Sequence, residues 1–175
     1  MLSKEASLLA VYEFTGVIEN AAPQVQAQLE QAVKVLVDKA ANEQQLAHTA
    51  QQLMLMERMR ASIQQILLGG EPANDAAARF ARDARQFDQT LKGLLQGDAQ
   101  RKIQRVYEAD AEALLSRVDK AFEPIRSNVD NIAKIAPALV QGMGGIRQIG
   151  QSADALSDAA GRLIGELDRK PGRMQ

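Results

Sequence analysis

At 175 residues, 46% of them hydrophobic, the chain has the length of one domain and enough apolar surface to bury a core. Twenty-one basic against twenty-two acidic residues leave a formal net charge of −1, which argues against the basic face of a dedicated nucleic-acid binder and against a polybasic membrane anchor. The absence of cysteine excludes disulfides, thiol catalysis and thiolate metal sites, and with two Tyr, four Phe and no Trp the core must come from Ala, Leu, Ile, Val and Met, which favours packed helices over sheet.

In chain order, residues 1–41 read as a kinked first helix or a helix pair. Leu9, Tyr12 and Gly16 share one side over Ser3–Asn20, Pro23 interrupts by removing a backbone donor, and Val25, Leu29, Ala32, Leu36 and Ala40 carry the stripe onward. Asn42 is placed to cap a second helix over 42–69, with Glu43 at the positive end of its dipole. Its apolar stripe holds Leu53, Met56, Ile63, Ile66 and Leu67, and Gly69-Gly70 supplies the left-handed stop. Pro72 suits an early position of a third helix over 74–97, with Asn74 or Asp75 as N-cap and a three-four seam of Ala77, Phe80, Ala84, Phe87, Leu91 and Leu94. Arg79, Arg82, Asp83 and Arg85 read as the solvated face of that helix.

After Gly97 a polar passage through Arg105, then Val106 and Tyr107, predicts an irregular or short helical link. Residues 109–136 form the fourth seam, from Leu115 and Val118 to Ile132 and Ala136, and its unbroken register predicts that Pro124 makes an outward kink. Pro137 is expected to start the last helix, 137–168, with Gly142, Ile146, Ile149, Ala153, Leu156, Ala160, Leu163 and Leu167 in another continuous seam. Gly142, Gly144 and Gly145 weaken its first turns and form a candidate hinge. Seams of roughly 25 to 30 residues imply helices about 40 Å long. The expected fold is all-α, a single module folded as an elongated antiparallel four-helix bundle. No apolar run approaches the ~18 to 20 residues that cross a bilayer.

No pattern carries catalysis, a metal or a cofactor. His48, the single histidine, has Gln51 and Gln52 where helical metal partners would stand, and Ser62, Ser116 and Ser127 have no paired base, so the chain is not expected to be an enzyme. Met54, Met56 and Met59 read first as core packing and second as the lining of an adaptable pocket.

Several boxes in order carry a family likeness: Leu53–Arg58, the Gly69-Gly70 turn, the Phe-x-Arg-Asp-Ala-x-x-Phe run from Phe80 to Phe87, and Leu-Lys-Gly-Leu-Leu-Gln-Gly ending at Gly97. Together they resemble the second, membrane-proximal periplasmic sensor module of the PilJ-type type IV pilus methyl-accepting chemoreceptors. Weaker similarity runs from Ser3 through Pro23 and from Ala109 through Ser157, so nearly the whole chain is covered.

The resemblance implies the periplasmic portion of an inner-membrane protein that acts in twitching motility, with flanking membrane helices outside this chain and a homodimer in the intact receptor. It implies an input from pilus attachment, tension or the major pilin, and an output by helix displacement through the last helix to a histidine kinase bound in the cytoplasm. The candidate sensor box is Leu53, Met54, Met56, Glu57 and Arg58. In related nitrate and nitrite sensors the corresponding box opens with an arginine facing the bundle axis. Alignment on Arg58 puts Leu53 there, with Glu57 beside Arg58, so nitrate binding at this box is not expected. The competing reading is a structural or scaffolding helical bundle that binds no ligand and spaces its partners.

Overall fold

The computed structural model describes residues 4–70 and 72–168, without the side chains of residues 4, 5, 7, 8, 138–151 and 163–168. Five helices account for the regular structure: α1 Lys4–Asp38, α2 Glu43–Leu68, α3 Pro72–Gln96, α4 Ala109–Arg126 and α5 Val129–Asp168. Among the described residues there is no strand, only an isolated antiparallel bridge between Asp98 and Ile103, and the fold class is all-α.

α1 continues through Pro23 without a break. Pro23 and Glu19, whose carbonyl loses its donor, both face solvent, where water can replace the missing bond. The buried stripe differs from the expected one at the start of the helix. Leu9 and Tyr12 are 64% and 77% exposed, and Val11, Phe14 and Ile18 face the core instead, because Phe14 meets Phe80 edge-on at 5.6 Å between ring centroids. Ala40, assigned to the stripe from sequence, is exposed and adopts a left-handed conformation at φ 48°. It closes α1 with two reversed bonds, from its own N–H to Val37 O and from Ala41 N–H to Leu36 O.

The other caps follow their residue chemistry. Asn42 accepts from Gln44 N–H at 2.8 Å to start α2, and Gly69 and Gly70, at φ 67° and 80°, end it. α3 then begins at Pro72 itself, two residues before the expected start. Proline at the first helical position forgoes an N–H that has no helical partner, and Gly70 O accepts the first bond from Ala73 N–H.

The link after Gly97 opens with a tied turn and runs on irregularly from Gln104 to Glu108. Asp98 and Ile103 exchange both backbone bonds at 2.8 Å, and the Asp98 carboxylate accepts from the Arg101 amide and guanidinium. The amide bond first, and the guanidinium after it, hold the Asp98 carboxyl below its ordinary value. This turn drives Ile103 and Val106 into the core. Ile103 fits because position 93 is glycine: a Cβ there would come within 2.9 Å of Ile103 Cδ1.

The expected boundary at Pro137 is wrong. α4 stops at Arg126, and α5 starts at Val129 and runs through Pro137, which faces solvent. Pro124 costs α4 a bond, and the polar side chains behind it complete the break. Ser127 Oγ donates to Glu123 O, and Asn128 Nδ2 donates to Pro124 O at 2.8 Å. Val129, Ile132, Ile135 and Ala136 are nevertheless buried in phase with Val118, Phe122 and Ile125, so one apolar face spans both helices. Gly142, Gly144 and Gly145 therefore lie in the interior of α5 rather than at a helix start, in the stretch whose side chains fall outside the described residues.

α2 packs along α3 and α1 along α4, while α1 also meets α2 and α5, and α3 meets α4 and α5. At the centre Phe87 stacks on Phe122, with centroids 4.3 Å apart and planes at 27°. The described side chains of residues 152–162 are all exposed, with Leu156 at 72%.

Phe87→Ala should lower stability by about 3 to 5 kcal/mol, since the ring is fully buried and stacked. A melting curve superimposable on that of the parent would show that the stack is not in the core. Ala40→Gly should act in the opposite direction. It relieves about 1 to 2 kcal/mol of left-handed strain and adds about 0.4 to 1 kcal/mol of unfolded-state entropy, for a net gain of about 0.5 to 1 kcal/mol. Urea unfolding checks it through a raised midpoint at unchanged slope.

Candidate functional site

The residues from Leu53 to Arg58 occupy one and a half turns in the middle of α2, and the helix distributes them over different surroundings. Met56 is fully buried, Leu53 is half-buried against the core, and Met54 is 63% exposed. Met56 and Met59 thus fill core positions while Met54 does not, so the three methionines line no common pocket. Glu57 points outward and pairs with Arg60 at 3.1 Å, one turn along the same helix. His48 is half-buried, five residues before the box begins.

Arg58 reaches across to α3. Its Nη2 donates to Asp83 Oδ1 at 2.8 Å, and the Asp83 side chain is only 1% exposed while that of Arg58 is 52% exposed. Asp83 therefore does not belong to the solvated face assigned from sequence. Arg79, Arg82 and Arg85 do lie outward or half-outward, Arg79 donating to Gln65 of α2 and Arg85 to Asp130 of α5. Asp83 sits one turn before Phe87 on the same side of α3, so the burial of that ring takes the carboxylate inward with it. Its second oxygen has no hydrogen-bond partner among the described residues.

A second buried polar group stands immediately before the box. Gln52 is fully buried and donates through Nε2 to Phe87 O at 3.0 Å, leaving its Oε1 without a partner. Thr49, also fully buried, donates to Gln45 O. The α2–α3 contact thus holds a polar file that hydropathy reading missed. The available signal was the weak amphipathic pattern of α2, where glutamines fall on the helical stripe alongside Met56 and Ile63.

Sequence reading also missed the densest ion cluster. Arg126, in the last turn of α4, donates to Asp88 of α3 at 2.6 Å, to Asp119 at 2.5 Å and to Glu123. Lys92 reaches the same Asp88 at 2.7 Å. Partial burial pulls the Arg126 guanidinium down, but the bonds to Asp119, Asp88 and Glu123 outweigh it and push its pKa up. The cation also stands 5.6 Å above the Phe122 ring. A basic residue in a helix's last turn was the clue.

Among the described residues no group of three or more His, Asp or Glu side chains is placed to hold a metal ion, and no helix is long and apolar enough to cross a membrane.

Long helices lie side by side, tied by buried polar contacts, and the described outer part of the C-terminal helix is uncovered; comparison with known proteins gives the family. The chain belongs to the PilJ family, whose model, described as "Type IV pili methyl-accepting chemotaxis transducer N-term", matches residues 38–142. It is 30% identical over 171 residues to protein PilJ of Pseudomonas aeruginosa, which covers 98% of this chain and 25% of that protein. It is 34% identical over 142 residues to AlkN, a protein of Alcanivorax borkumensis named for methyl-accepting chemotaxis, with 81% of this chain and 21% of that protein covered. The chain thus spans a quarter or less of the length of these relatives.

The Arg58–Asp83 pair yields a stability prediction. Arg58→Ala leaves a buried carboxylate without its cation and should cost about 1 to 3 kcal/mol, below the cost of breaking a fully buried pair because Arg58 is half in solvent. The double variant Arg58→Ala/Asp83→Ala should lose less than the sum of the single variants by about 1 kcal/mol. Strict additivity in urea unfolding would show that the two side chains do not interact.

Proposed function

We propose that this chain is the periplasmic, membrane-proximal sensory module of a pilus-linked chemoreceptor, folded as an elongated antiparallel four-helix bundle. In that arrangement α1, α2 and α3 are three columns, and α4 with the first turns of α5 is the fourth. The input is pilus attachment, tension or contact with the major pilin. The output is a displacement of α5 that passes through the membrane to a histidine kinase.

The observation that carries this reading is the division of α5. Val129, Ile132, Ile135 and Ala136 of its inner part are buried in the core, whereas the described side chains from 152 to 162 are all exposed. Gly142, Gly144 and Gly145 fall between the two, where a hinge would let the outer part move against a fixed inner part. The outer part keeps a heptad rhythm of Ile149, Ala153, Leu156, Ala160, Leu163 and Leu167, which suits pairing with the same helix of a second receptor subunit.

The box from Leu53 to Arg58 then works as an α2–α3 tie rather than as an anion pocket, because Arg58 is already engaged by Asp83 and Leu53 packs on the core. Membership of a chemotaxis transducer family favours this reading over a scaffold that only spaces partners.

The test is disulfide cross-linking in the full-length receptor. Cysteines at Ala153, Leu156 and Ala160 should cross-link between subunits, while one at Asp158, off the seam, should not. In the same receptor, alanine at positions 142, 144 and 145 should lock output toward one state. Uniform cross-linking at all four positions, together with normal signalling by the triple variant, would remove the α5 relay.

A further inference from the structure

Between the first half of α1 and the start of α5 lies an open groove of about 450 Å³, within the usual range for small-molecule sites. Its apolar lining comes from Phe14 and Val17 on α1 and from Ile132 and Ile135 on α5. Two opposite charges belong to the same groove, Glu13 from α1 and Lys134 from α5. Both side chains are exposed, and neither makes a hydrogen bond or ion pair with any other described residue. Asn131 adds a side-chain amide that can donate and accept, and it too has no side-chain partner among the described residues.

This set of groups selects by charge. A simple anion would meet the Glu13 carboxylate, and a simple cation would meet the Lys134 ammonium. A ligand with no charge would leave both unanswered. A molecule carrying one ammonium and one carboxylate satisfies each wall, with the Asn131 amide supporting the carboxylate and an apolar body resting between Phe14 and Ile135. We propose that the groove binds a small zwitterion with an apolar side chain, of amino-acid to dipeptide size.

Such a ligand joins α1 to the inner part of α5, so it would bias the packing of the helix assigned above to output. That signalling role rests on the sensory reading, whereas binding does not. A measurement on this chain alone separates the two.

The experiment is amide chemical-shift titration of the ¹⁵N-labelled 175-residue chain with L-leucine and with L-leucyl-L-leucine. N-acetyl-L-leucine, which lacks the ammonium, and L-leucinamide, which lacks the carboxylate, serve as controls. Saturable shifts confined to residues 10–17 and 128–135 are expected for at least one zwitterion, about tenfold tighter than for either control. Glu13→Gln should erase the discrimination against N-acetyl-leucine, and Lys134→Gln that against leucinamide. Both positions are exposed, so the melting temperature should hold. Absence of saturable shifts, equal binding of zwitterions and controls, or discrimination unchanged in both variants would overturn the site while leaving the sensory reading standing.

Discussion

The stack of Phe87 on Phe122, closed over by Arg126, is the contact on which the rest of this fold depends. It joins α3 to α4 at the centre of the core, and the cation above the ring draws in Asp88 from the other helix. The same arginine is the last residue of α4. The end of that helix is therefore tied to α3 by a charge that its three carboxylates keep ionised, and the chain can leave the helix without loosening the core. Ser127 and Asn128 then cap the freed carbonyls, and α5 departs with its apolar face already in phase.

On the other side of α3 the contact with α2 works differently. Its buried polar groups, Gln52 and Asp83, each use one oxygen or nitrogen and leave one acceptor unmet. Such groups contribute little net stability and penalise sliding, since any shift of α2 along α3 would strand Asp83 away from Arg58 and Gln52 away from the Phe87 carbonyl. The stacked contact supplies adhesion, and the polar contact supplies register. A module proposed to transmit small helix displacements needs both, because a signal passed along α5 is useful only if the other helices do not slip.

Much of this was legible in the residues. The α3 seam from Ala77 to Leu94, the Asn42 cap and the Gly69 stop follow from local chemistry and three-four spacing, and the structure has them where that chemistry places them. The misplaced helix boundary has a plain cause. Periodicity reports which face is apolar and says nothing of whether the backbone beneath it is continuous, so Phe122, Ile125, Val129 and Ile132 kept their rhythm across a helix break. Asp83 was misread for a related reason: its place depends on Arg58, 25 residues away, just as the Arg126 cluster depends on Asp88, 38 residues away. At Ala40 the expected stripe ended in a conformation that alanine rarely adopts, and only the tertiary path of the turn imposes it.

On the proposed reading, the clustered glycines of α5, Gly142, Gly144 and Gly145, set an energy scale. Each interior glycine weakens a helix by roughly 0.8 to 1 kcal/mol relative to alanine, so loosening that stretch costs a few kcal/mol less than loosening an alanine helix of equal length. Typical couplings between sites lie at about 1 to 3 kcal/mol. An input of modest affinity, whether a ligand in the Glu13–Lys134 groove or a pull on the module, therefore matches the size of the barrier it has to move. A stiffer α5 would demand more differential binding than a groove open to solvent can supply, and a looser one would uncouple the exposed outer part from the core that senses.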